Sequence, residues 1–261
     1  MNRELIRGNE MSKFLLSNDY ISQEKLKHPA KLKESGRRAI IIGSNGKNNI
    51  GFHIEKIFYQ NGIKVISFNK TTNDMSIKKL PVNSQDDILV LANGYTCLEW
   101  IENLNDIEIE RMINDTFLAS VRSVNQFVQA TINSSNKKYI IFIGSMAYKN
   151  VLNGSSVYCA SKSAIAHFSK CIAWELAPKG YNVITLHPSN TEDTPMTEET
   201  IKGLMRFRNL SREEAENYWG TTLPKHNWLQ PEEIAHICNF FVSGKSDYMS
   251  GTQIDLAGGQ R

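Results

Sequence analysis

Short apolar runs recur along this 261-residue chain, and helical patterns separate them. The runs fall at 39–43 (Ala-Ile-Ile-Ile-Gly), 64–68, 87–92, 139–143 and 182–186, with a last short one at 253–256. Their length suits strands, and runs that are apolar at nearly every position suit strands covered on both faces. Ile50, Ile54, Ile57 and Phe58 recur at helical spacing up to Asn61-Gly62, a helix stop. Longer helices are expected at about 106–132 and 157–177, the second stopped by Pro178 and Gly180, and another starts at Pro231. Strands alternating with helices predict an α/β fold, a Rossmann-type doubly wound parallel sheet in three αβα layers. A single domain over 37–261 is expected, preceded by a polar extension over 1–36. Residues 189–228 read as irregular and helical by turns.

Composition excludes several classes. A net charge of +3, with 41% hydrophobic and 22% charged residues, is a globular balance. It is too mild to argue for nucleic acid or a membrane surface. No apolar run is long enough to span a bilayer. Cys97, Cys159, Cys171 and Cys238 form no Cys-x-x-Cys pair, so neither zinc nor a disulfide framework is expected, and a reducing cytoplasm is the simplest setting.

Chemistry concentrates in Tyr158-Cys159-Ala160-Ser161-Lys162, thirteen residues after Ser145. On a helix, positions i and i+4 share a face, which sets the Tyr158 phenol beside the Lys162 ammonium. A free phenol has a pKa of about 10, and a neighbouring cation is expected to lower it. Ser145 could then hold a carbonyl or alcohol oxygen while the phenol exchanges a proton with it. In a doubly wound sheet, ligands bind beyond the carboxyl ends of the strands, where Ser44 to Gly51, Asn69, Lys70, Asn93, Gly94, Ser145 and Pro188 to Thr194 all fall. The loop from Gly43 to Gly51 opens a helix whose N-terminus would attract phosphate, and Asn tolerates the positive φ that such a loop needs. His187, at a strand end, reads as a hydrogen-bonded core residue.

These motifs, in this order and spacing, resemble the short-chain dehydrogenase/reductase family from about Leu32 to Gly259. Its Tyr-x-x-x-Lys and preceding Ser match Tyr158, Lys162 and Ser145. Its Pro-Gly segment is similar to Pro188-Ser189, with Thr194-Pro195-Met196 following, and its C-terminal pattern resembles 230–235 and 250–259. The resemblance implies an oxidoreductase that moves hydride between NADP(H) or NAD(H) and a small-molecule carbonyl or alcohol. Tyr158 would be the acid/base, Lys162 would tune it and hold the nicotinamide ribose, and Ser145 would orient the substrate oxygen. Thr116 takes the place of the family's fourth active-site residue, an Asn. Cofactor contacts are expected from Gly43, Ser44, Asn45, Asn49, Ile50, Gly51, Asn69, Lys70, Asn93, Pro188 and Thr194. Asn69 in place of a carboxylate, with Lys47 and Lys70 nearby, tips the expectation toward NADP(H). The two long helices imply a homotetramer or homodimer, and 189–228 a substrate lid.

The chain departs from the family at three places. Asn45 and Asn49 stand where the nucleotide loop has glycines. Thr116 stands for the Asn. About seventeen residues link Asn69 to Asp87, where the family fits two helices and a strand. A cofactor-sensing or scaffolding protein that kept the fold without turnover is the alternative reading.

Overall fold

A computed structural model describes residues 35–44, 48–68 and 79–260, without the side chains of 219–222. The expected 1–36 extension, save its last two residues, lies outside the described residues, as do Asn45, Lys47, Asn69 and Lys70.

Among the described residues, six parallel strands form one sheet: β1 (Arg38–Ile42), β2 (Lys64–Phe68), β3 (Ile88–Leu91), β4 (Lys138–Ile143), β5 (Tyr181–Pro188) and β6 (Gln253–Leu256). Their order is β2-β1-β3-β4-β5-β6. The α-helices described with them are α1 (Ile50–Gln60), α2 (Asp106–Ile113), α3 (Ala119–Thr131), α4 (Ser156–Leu176), α5 (Pro195–Arg208), α6 (Arg212–Thr222) and α7 (Pro231–Phe241). The period-two geometry of a strand explains why nearly every strand position is apolar. Ala39, Ile41, Val90 and Ile141 point to one face and pack under α1 and α7 through Ile54, Phe58, Ile234 and Phe241. Ile40, Ile42, Leu89 and Phe142 point to the other and pack under α3 and α4 through Val124, Phe127, Ile165 and Ile172. Burial on both faces is the three-layer arrangement expected from the sequence.

The chain leaves β1 toward β2 and returns to β3 on β1's other side, so the direction of winding reverses there. That switch opens a crevice above the carboxyl ends of β1 and β3. Gly43 lies in this opening with φ of +94°, and a Cβ there would come within 2.7 Å of the Ala92 backbone. Only glycine meets both demands.

The structure fills in three local readings. The helix expected over 106–132 is interrupted by a π-turn at Asn114–Leu118, where the Ala119 N–H reaches back to Asn114 O. Residues 189–228, read as irregular and helical by turns, carry two helices, α5 and α6, with irregular chain around them. The link from β2 to β3, residues 69–87, has neither helix nor strand among its described residues 79–87. In that link Leu80 is 2% exposed and joins the core under α3, and its N–H donates to Gln126 Oε1 at 2.7 Å.

Leu80 thus does a helix's work from a loop. Leu80→Ala should lower stability by about 2–5 kcal/mol, the usual range for a truncated core leucine. Urea unfolding will measure this, and a loss below about 0.5 kcal/mol, the scale of a surface change, would show that the link carries no core.

Candidate active site

Strand β4 ends at Ile143, and Gly144 and Ser145 follow. Ser145 has extended backbone, and its Oγ accepts the Ala147 N–H at 3.1 Å, which turns the chain into a 3-10 segment at Met146–Tyr148. Helix α4 then returns over the strand end. Tyr158 lies in its first turn and Lys162 one turn later on the same face, 8% and 4% exposed. Lys162 Nζ donates to Ile143 O at 3.0 Å, so the helix is tied to the last residue of β4. Its ammonium sits 5.7 Å from the Tyr158 ring centroid. The Tyr158 hydroxyl donates to Met196 Sδ on α5 at 3.6 Å, and the Ser145 side chain is near enough to act on the phenol's acidity. The three sequence-predicted groups therefore meet at one strand end.

The electrostatics differ from the sequence expectation. Burial pushes Tyr158 up to about 12, and the Ser145 side chain is the opposing influence. Lys162 does not acidify it in this geometry. Burial instead lowers Lys162 itself to about 8. Desolvation disfavours the charged form of each group, so it moves an acid up and a base down. The sequence argument counted the cation's field and left out the burial that both partners share.

The π-turn occupies the opposite wall. Asn93, after β3, donates through Nδ2 to Asp115 O at 2.7 Å, a carbonyl of that turn. Thr116 is fully buried. Its Oγ1 accepts the Tyr95 N–H at 3.2 Å and donates to Tyr95 O at 3.3 Å. A Cβ on Gly94 would lie 3.5 Å from Lys162 Nζ and 3.8 Å from Thr116 Oγ1, so Gly94 separates the two.

At the nucleotide loop, Asn49 is the N-cap of α1 with an ordinary extended φ of −110°. Its Oδ1 accepts the Phe52 N–H at 2.8 Å and its Nδ2 donates to Gly43 O at 2.9 Å. The positive φ expected of an Asn here falls on Asn48 instead (+29°). Ser44 is buried with its hydroxyl on Glu55 Oε2 at 2.7 Å, so it can face a ligand only through its backbone. A Cβ on Gly51 would meet Gly43 O at 2.7 Å, so its role is close helix–strand packing.

A cleft of about 820 Å³ joins these parts. Gly43, Asn49, Ile50, Asn93, Ser145, Tyr158, Pro188 and Thr194 all line it, and Thr116, Ser44, Gly51 and Lys162 lie behind its wall. Thr194 caps α5 by accepting the Thr197 N–H. Sequence reasoning missed one wall residue, Thr96, and placed Ser189 there only as part of 188–194. The Thr96 and Ser189 hydroxyl oxygens are buried without a hydrogen-bond partner among the described residues. Ser189 carried a signal, a side chain where the resembled family has glycine.

The depressed lysine has a sign that can be tested. Between pH 8 and 10.5 the folded protein binds fewer protons at Lys162 than the unfolded chain does, so this group makes stability rise with pH across that window. Relative to wild type, Lys162→Met should lose that rise, at most about 1.4 kcal/mol per pH unit. Urea midpoints of both proteins through this window measure it, and parallel curves would refute the assignment.

Comparison with known proteins agrees with this geometry. A family model described as short chain dehydrogenase matches residues 82–204. The 3-oxoacyl-[acyl-carrier-protein] reductase FabG of Chlamydia muridarum is 26% identical over 254 residues, covering 85% of this chain and 96% of the relative. An (S)-acetoin-forming diacetyl reductase of Staphylococcus epidermidis is 23% identical over 215 residues, covering 78% and 82%. Among solved structures, a single-residue variant of the actinorhodin polyketide ketoreductase with NADPH shares the fold at a TM-score of 0.78 and 19% identity, covering 87% of this chain and 98% of that one. The family match spans Ser145 to Lys162 and the relatives align over most of their length, so this chain is similar in sequence to short-chain dehydrogenases and shares their fold.

Proposed function

We propose that this protein is an NAD(P)-dependent oxidoreductase that interconverts a carbonyl and an alcohol, with Tyr158 as its acid/base. The observation that carries this reading is the meeting of Ser145 and Tyr158 on a cleft wall with Lys162 directly behind them.

The residues present fit a nicotinamide nucleotide. Lys162 Nζ, an ammonium with three donors, has one protein acceptor among the described residues, Ile143 O, leaving two for ribose hydroxyls across the side-chain-free Gly94. The Ser189 hydroxyl, buried and unpartnered in the cleft wall, suits a carboxamide. The first turn of α1, opening at Asn49 on the cleft, suits a diphosphate. When bound, the cofactor supplies or accepts hydride at the substrate carbon. Ser145 then donates to the substrate oxygen and stabilises the charge that develops on it. Tyr158 gives that oxygen its proton in reduction and recovers it in oxidation. A cation at Lys162 made stronger by ribose contacts would lower the Tyr158 pKa from its buried value. Thr116 holds the Tyr95 backbone beside Lys162, and its remaining lone pair can accept from a relay water.

Finer points extend this proposal. NADP(H) is the preferred cofactor, because Asn69 removes the carboxylate that would repel a 2′-phosphate. Residues 189–228 act as the substrate lid, with Met196 resting on the Tyr158 hydroxyl. The relatives' names span an acyl thioester and a small diketone, so the substrate class stays at carbonyl or alcohol. Four free cysteines suit the cytoplasm. Trp174 on α4, 87% exposed, offers an apolar anchor for pairing with a second copy in a homodimer or homotetramer.

Titration with NADPH and NADH, followed on tryptophan fluorescence, should show saturable binding that is tighter for NADPH. No binding of either would remove the enzyme reading and leave the sensing or scaffolding alternative without its ligand as well. Tyr158→Phe should cut turnover of diacetyl or an acyl thioester by about 10²–10⁴-fold at unchanged cofactor affinity. Equal turnover in the variant would remove Tyr158 from the chemistry. Trp174→Glu should reduce the mass found by light scattering, and an unaltered mass would clear that face of any role in assembly.

A further inference from the structure

We propose that His187 is a positioning residue, whose Nδ1 accepts the Ser145 N–H and thereby aims the Ser145 hydroxyl at Tyr158. The inference rests on the function proposed above and adds a residue that the Ser–Tyr–Lys chemistry does not use.

His187 is fully buried in β5, next to the β4 end, where Ile143 pairs with Leu186. Its ring is wedged from three sides. Tyr148 stacks on it at 3.8 Å between centroids with 23° between planes. Gly144 leaves room for it, since a Cβ there would fall 2.4 Å from Nδ1. Gln253 Oε1 lies 2.7 Å from Nε2.

The hydrogen-bond network fixes which nitrogen carries the proton. Ser169 Oγ donates to Ala166 O at 3.0 Å, so it receives the Thr185 hydroxyl at 2.7 Å and Gln253 Nε2 at 3.0 Å. With its amide nitrogen committed as donor, Gln253 meets the ring through its carbonyl oxygen, and His187 Nε2 must donate to it. Nδ1 faces the Ser145 peptide at both groups, 3.2 Å from its O and 3.4 Å from its N; with the proton on Nε2, Nδ1 is an acceptor and the N–H contact is the hydrogen bond of the pair. This ring is the partner of the peptide that sets the direction of Ser145's side chain. The chain of support runs from Ser169 on α4, through Gln253 on β6 and His187 on β5, to Ser145 after β4. Each link lies on a different element, so the aim of Ser145 is set by the sheet as a whole.

Two substitutions separate the two nitrogens. His187→Asn places an amide oxygen near the Nδ1 position and keeps the acceptor. His187→Gln reaches the Nε2 position and keeps only the Gln253 contact. Hydrogen exchange at the Ser145 amide should stay slow in wild type and His187→Asn and speed up about tenfold or more in His187→Gln. In the same proteins kcat should fall by about 10–10²-fold in His187→Gln, with KM for NADPH unchanged, and recover in His187→Asn. In a Ser145→Ala background the His187→Gln change should lower kcat no further. Equal exchange in both variants, loss of kcat in step with thermal stability alone, or additive effects with Ser145→Ala would each overturn the proposal. Absent turnover with the exchange pattern intact would instead count against the enzyme reading and leave the His187–Ser145 contact standing.

Discussion

One hydrogen bond organises this site, from the Lys162 ammonium to the Ile143 carbonyl. It fastens α4 to the last residue of β4 and so fixes where Tyr158 stands relative to Ser145, two residues beyond that carbonyl. The bond is made at a desolvated cation, and the same burial that lowers the Lys162 pKa is the cost of placing it there. Among the described residues a single carbonyl answers one of three donors, so the ammonium is bound firmly and satisfied incompletely. That imbalance gives a nucleotide's hydroxyls something to complete. Tyr158 shares the same condition, since burial strengthens its hold on its proton.

Much of the fold was legible because parallel strands buried on both faces leave long apolar runs, as in 39–42 and 139–143. The Tyr158–Lys162 pair was legible because helical spacing alone sets two side chains on one face. What the chain hid was decided by partners distant in sequence. The π-turn at 114–118 has no compositional mark, and it exists alongside Asn93, which takes up the Asp115 carbonyl from another element. Asn49 looked like a glycine substitute and is a helix cap, because the left-handed residue sits one place earlier, at Asn48. Ser44 looked like a ligand contact and faces Glu55, which is eleven residues along the chain on α1. The phenol's acidity was misjudged because sequence shows neighbours and not depth.

The nucleotide half is built sparingly. Strand β2 is the end of the sheet among the described residues, and β3 follows it after a link of 19 residues, 69–87. A parallel crossover needs a dozen or more residues, so this link is consumed by the return itself. Leu80 and Val82 supply from a loop the apolar cover that a helix would otherwise bring.

The π-turn between α2 and α3 has a wider consequence. One extra residue in an α-helix turns everything after it by about 100° relative to an unbroken helix. Upstream, Met112 packs beside Tyr158; downstream, Val124 and Phe127 enter the sheet core. The insertion works as a swivel that lets a single rod present one side to the chemistry and a different side to the scaffold. A one-residue deletion there would force those two allegiances out of phase, so the catalytic wall and the hydrophobic interior could no longer both be served by the same length of chain.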